Sequence, residues 1–171
     1  MHLHTKRILS IALVATLATP LLAFAEGDVK VSLSAHRVTT TAAGTDVFTA
    51  ADKAKPGETI EYRARYTNDG SSGVNQLVAT LPIPAGMQYQ PKTAQPALVT
   101  ASLDGATFAP VPLKRTVRLA DGSEVIREVP PSEYRFLRWT LGSLAGHTTE
   151  SVRARVRVSP LDGAVAERAS H

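Results

Sequence analysis

Six arginines sit at alternating positions of three runs: Arg63 and Arg65 in Glu58–Thr67, Arg138 in Tyr134–Leu141, and Arg153, Arg155 and Arg157 in Thr148–Ser159. A guanidinium is a permanent cation whose planar fork of donors matches carboxylate and phosphate oxygens. Residues two apart on a strand share a face, so each run presents its arginines on one side. If the three strands share a sheet, Arg63, Arg65, Arg138, Arg153, Arg155 and Arg157 form a basic face suited to lipopolysaccharide, peptidoglycan or other acidic glycans. The opposing reading is a solvated sheet surface. There Glu61, Glu133 and Glu150 pair with the arginines, and charge guards the sheet against edge association.

Other chemistry finds little purchase. The chain has no cysteine, which excludes disulfides, thiolate metal sites, a cysteine nucleophile and lipidation at a cysteine. Asp46, Asp52, Asp69 and Asp104 fall in loops without the spacing of a calcium loop. His36 lies on a polar strand face and His147 in a Gly-rich turn, and neither is accompanied by a Gly-x-Ser-x-Gly elbow or a His-Glu-x-x-His pair. We therefore expect no catalytic residues, no metal, no cofactor and no enzyme activity.

The elements that position the arginines are strands. Ile60, Tyr62, Ala64 and Tyr66 alternate with Glu61, Arg63, Arg65 and Thr67, the mark of a half-buried antiparallel strand. Asp28–Arg37 alternates in the same way and reads as the first strand, with Val29, Val31, Leu33 and Ala35 opposite Lys30, Ser32, Ser34 and His36. Val38–Pro56 reads mainly as a long connection with a short edge strand near Val47-Phe48. Further strands are expected at Asn75–Leu81, Gly86–Tyr89, Ala97–Ala101 and Tyr134–Leu141. Thr148–Ser159 is the last and cleanest, with Val152, Ala154, Val156 and Val158 inward. Asp121-Gly122 marks a hairpin turn between Lys114–Leu119 and Glu124–Val129. Seven or more short strands between Gly/Pro turns, with no helical period, predict one antiparallel β-sandwich decorated by an inserted β-hairpin at 114–129. Its expected core is Tyr62, Tyr66, Leu81, Leu137, Trp139 and Val156. Either the first or the last strand is a candidate edge for strand addition, with self-packing the favoured reading.

Met1–Ala25 has the form of an export signal: Lys6 and Arg7, an uncharged apolar run from Ile8 to Leu22, then Ala23-Phe24-Ala25. Cleavage before Glu26 lowers the formal net charge from +4 to +2, so nucleic acid is not an expected partner. No transmembrane span is expected after cleavage. The domain is expected at 26–160, with a flexible tail at 161–171 and a periplasmic or secreted location.

Four segments together resemble one family. They are PGETIEYRARYTNDG (Pro56–Gly70), LVATLPIPAGMQY (Leu77–Tyr89), VTASLDGATFAP (Val99–Pro110) and FLRWTLGSLAGHTTESVRARVRV (Phe136–Val158). Their order resembles the conserved-repeat domain of bacterial surface and exported proteins, a family without an assigned molecular function. The resemblance implies an immunoglobulin-like β-sandwich over roughly Asp28–Ser159. Two features depart from the family pattern: Thr80 replaces its usual acidic residue, and Lys114–Val129 is an insertion. The resulting expectation is a non-enzymatic immunoglobulin-like module for protein interaction or structural roles at the cell envelope, with an envelope or extracellular protein as partner. Binding of anionic glycans through the arginine face is the alternative, and a self-assembling surface-fibre subunit comes third.

Overall fold

The computed structural model describes residues 29–160; the expected signal at 1–25 and tail at 161–171 lie outside the described residues. The described chain is all-β and antiparallel. A five-stranded sheet runs in the order β2-β1-β3-β11-β5, built from β1 (Val29–Thr40), β2 (Asp46–Ala50), β3 (Thr59–Asn68), β5 (Met87–Tyr89) and β11 (Thr149–Val158). A four-stranded sheet runs β4-β10-β6-β7, from β4 (Val74–Pro82), β6 (Thr100–Ser102), β7 (Ala109–Pro110) and β10 (Phe136–Leu144). The remaining strands, β8 (Lys114–Arg118) and β9 (Glu124–Glu128), pair only with each other. Among the described residues no helix is long and apolar enough to cross a membrane.

The alternation of β3 dictates its place. Ile60, Tyr62, Ala64 and Tyr66 turn inward and meet Val152, Ala154 and Val156 of β11 on the same sheet. Leu77, Ala79 and Leu81 of β4 and Leu137 and Trp139 of β10 face them from the other sheet, and one continuous core results. Each large apolar side chain buried this way contributes about 1.5–3 kcal/mol. All six expected core residues are buried, Trp139 at 1 % exposure. Its indole Nε1 donates to the Pro96 carbonyl at 2.8 Å, which satisfies the one polar atom that burial would otherwise orphan.

Two chain crossings between the sheets lie side by side and are joined by one residue. Asn68, 1 % exposed, ends β3. Its Nδ2 donates to the carbonyls of Ser72, Leu144 and Ala145, and its Oδ1 accepts from Gly70 N–H. The β3–β4 corner is thereby fixed to the β10–β11 corner, which also donates the bond from His147 N–H to the Gly70 carbonyl. Gly146 is needed for this approach: a Cβ there would lie 2.3 Å from the Ser71 carbonyl oxygen.

Several sequence expectations shift. β1 continues to Thr40, three residues past the expected end, because β2 pairs with its far half from His36↔Ala50 to Thr40↔Asp46. β2 covers the outer side of β1 only from His36 to Thr40, and β5 covers that of β11 only from Val156 to Val158, with a single bridge from Gln95 to Arg153; the Val29–Ala35 half of β1 is paired on the β3 side alone. Leu33 lies on the inward side of β1 yet is 40 % exposed. The 114–129 hairpin is anchored at its base by buried Leu113 and Val129, with Val129 N–H donating to the Leu113 carbonyl and Leu113 N–H to the Tyr134 hydroxyl.

Candidate binding groove on the five-stranded sheet

The outer face of the five-stranded sheet follows from register. Arg65 of β3 stands between Ser32 of β1 and Ser151 of β11; Arg63 stands between Ser34 and Arg153; Glu61 stands between His36 and Arg155. One row further, Arg157 pairs with Thr59. Five of the six candidate arginines therefore share one face. Arg138 does not. It belongs to β10 in the other sheet, where its guanidinium lies 3.4 Å from the Phe108 ring centre and its Nε donates to Thr80 Oγ1. Alternation gave its outward direction but could not say which sheet it occupied.

A groove of about 670 Å³ opens over this face. Its floor is the Ser32, Ser34 and His36 row of β1, Arg63 and Arg65 of β3, and Ser151 and Arg153 of β11. Gln95 and Pro96 form one wall. Reciprocal backbone bonds of 2.8 Å between Gln95 and Arg153 hold that wall against β11. His36 Nε2 and Ser34 Oγ are 3.1 Å apart on the floor.

Glu61 is the electrostatic anchor. It faces outward, yet is only 2 % exposed. Its Oε1 accepts from Arg63 Nε at 2.6 Å and its Oε2 from Arg155 Nε at 3.0 Å, while Arg153 Nη1 approaches to 4.0 Å. The Phe48 ring of β2 roofs the cluster, 4.5 Å from the Arg63 guanidinium carbon and 5.7 Å from that of Arg155, within cation–π range. Burial alone would raise the Glu61 carboxyl, but the hydrogen bonds from Arg155 and Arg63 outweigh it and hold the group below its ordinary value. Arg155 is discouraged by burial and restored by its bonds to Glu61 and Asp46, with the net result upward. Asp46 is held below its ordinary value, first by the Thr40 hydroxyl and then by Arg155.

The arginines thus differ. Arg155 is committed twice, to Glu61 and to Asp46 at 2.7 Å. Arg63 uses Nε on Glu61, and its terminal nitrogens meet no acceptor among the described residues. Arg65 and Arg157 have no carboxylate partner among the described residues, and Arg153 has only the 4.0 Å contact. Sequence reasoning had Ser32, Ser34 and His36 on a polar face but not beside Arg63 and Arg65. It left Phe48, Asp46 and Gln95 out of the site, because a chain-distant lid and wall leave no periodic signal. Among the described residues no three His, Asp or Glu side chains are grouped to hold a metal ion. Comparison with models of protein families, with curated proteins and with solved structures gives no match for this chain.

Proposed function

We propose that this chain is an exported, non-enzymatic immunoglobulin-like module of the cell envelope, and that it works by binding an anionic envelope component in the groove of its five-stranded sheet. The antiparallel two-sheet architecture and the four resembling segments support the immunoglobulin-like assignment. One observation carries the binding assignment. Arg63 and Arg153 are direct cross-strand partners, an arrangement that costs stability, and with Arg65 they line the groove while one carboxylate, Glu61, is shared among Arg63, Arg153 and Arg155 and none meets Arg65 among the described residues. Oriented guanidiniums beside serine hydroxyls are complementary to oxyanions.

The test is retention of the purified protein on isolated cell-envelope material over a salt series. We expect binding that falls steeply with added salt and is lost in an Arg65→Glu/Arg153→Glu variant. Those two arginines are chosen because Arg63 also holds Glu61. Equal retention of the wild-type protein and the variant would refute the assignment.

A further inference from the structure

We infer that the group recognised in the groove is a phosphate monoester, in an assignment that rests on the binding reading above. Charge supplies the first argument. At the groove, Arg63, Arg153 and Arg155 share the carboxylates Glu61 and Asp46, and Arg65, which also lines it, meets none among the described residues; Arg157 lies a row beyond the groove. Two positive charges remain in excess. A phosphate monoester carries about −1.5 to −2 at neutral pH and cancels that excess in one group, whereas a carboxylate cancels half of it. Donor geometry supplies the second. Ser32, Ser34 and Ser151 bring three short hydroxyls to the floor beside Arg63, Arg65 and Arg153. A tetrahedral phosphate offers three strong acceptor oxygens that can be shared between a guanidinium fork and hydroxyls on different strands; a planar carboxylate offers two. Size supplies the third: about 670 Å³ exceeds what a bare phosphate fills and leaves room for the group that carries it. The Gln95 amide and the His36 imidazole border that room, which suits a hydroxyl-rich carrier.

The experiment is calorimetric titration of the purified protein at fixed ionic strength with glucose 6-phosphate, inorganic phosphate and glucuronate. Flotation with phosphatidylcholine vesicles, with and without phosphatidic acid, completes it. Glucose 6-phosphate is expected to bind at least tenfold more tightly than glucuronate. Arg65→Lys/Arg153→Lys, which keeps charge but loses the fork, is expected to lose severalfold of that preference. Flotation with phosphatidic acid assigns the phosphate to a lipid headgroup; binding of glucose 6-phosphate without flotation assigns it to a soluble or glycan-borne ester. Equal affinity for glucuronate and glucose 6-phosphate, or phosphate binding unchanged in Arg65→Glu/Arg153→Glu, overturns the inference. Salt-sensitive retention on envelope material together with equal affinities overturns the phosphate assignment alone. Loss of that retention removes the binding reading as well.

Discussion

Replacing Glu61 by glutamine should lower stability and strengthen anion binding at once. The carboxylate accepts two charge-assisted hydrogen bonds, from Arg63 at 2.6 Å and Arg155 at 3.0 Å. Each bond of this kind contributes about 1.5–3 kcal/mol when desolvated. The amide keeps one acceptor oxygen, so about one bond and the charge are lost. The arginine side chains are 35 % and 27 % exposed, which lets water compensate part of the loss. We expect a net destabilisation of about 2 kcal/mol, a fall of roughly 6–8 °C in Tm for a domain of this size.

The pH dependence fixes the cause. The folded-state value of Glu61 is depressed below its ordinary value of 4.5. Its contribution is therefore fully present above that value and is lost as pH falls through the folded value. The Tm difference between wild type and Glu61→Gln should be largest at neutral pH, should begin to narrow as pH falls below about 4.5 and should close only below the depressed folded value. In the groove the sign reverses. Removing a negative charge about 6 Å from a bound anion is worth about 0.7 kcal/mol in water, or about threefold in affinity. Scanning calorimetry between pH 3 and 7.5, with glucose 6-phosphate titrations at neutral pH, measures both effects. A Tm gap that does not narrow between pH 4.5 and pH 3, or weaker binding of the phosphate by a folded variant, would refute this account of Glu61.

Three further outcomes follow from the corners and the face. Asn68→Ala strips three carbonyls and one N–H of their side-chain partner at a buried corner and should cost about 2–4 kcal/mol, read as a lower urea midpoint at unchanged m-value. Gly146→Ala places a methyl group against the Ser71 backbone and should cost more than about 3 kcal/mol. Gly142→Ala, whose Cβ would meet nothing within 4 Å despite φ +79°, should cost only about 1 kcal/mol; equal thermal shifts in the two variants would contradict the close approach of the corners. Arg153→Thr relieves the opposition to Arg63 and should raise stability by about 0.5 kcal/mol while weakening retention on envelope material.

What the sequence made legible tracks what has a period. β3 and β11 could be read residue by residue, because each alternates an apolar face with a polar one, and Trp139 followed from the same rule in β10. β2 showed only faintly, since none of its residues is fully buried. Pairing was not legible, because alternation orients a side chain without naming its neighbour. Arg138 and Arg153 look alike in sequence and lie in different sheets. Asn68 could be seen only as turn chemistry; its bonds to Leu144 and Ala145 link positions 76 and 77 residues apart. The groove is a product of register between β1, β3 and β11, with a wall from Gln95 and Pro96, so no local pattern announces it.

The charges elsewhere on the domain show what the groove is not. Lys30 meets Asp69, Arg37 meets Glu58, Arg115 makes a bidentate pair with Glu133, and Arg155 meets both Asp46 and Glu61. A sheet surface shaped only for solubility and stability would continue that pattern, with acids or threonines across from Arg63 and Arg65. Instead β11 offers Arg153 and Ser151 at those positions, and the nearby carboxylate, Glu61, lies under Phe48 and is divided between Arg63 and Arg155, leaving Arg65 without one among the described residues. The cost is small per pair, but it is placed at a groove of the face where guanidinium groups and three serine hydroxyls converge. Departures from local consistency gather where function is imposed on a fold, and under the proposed function the compensating gain would come from the bound anion.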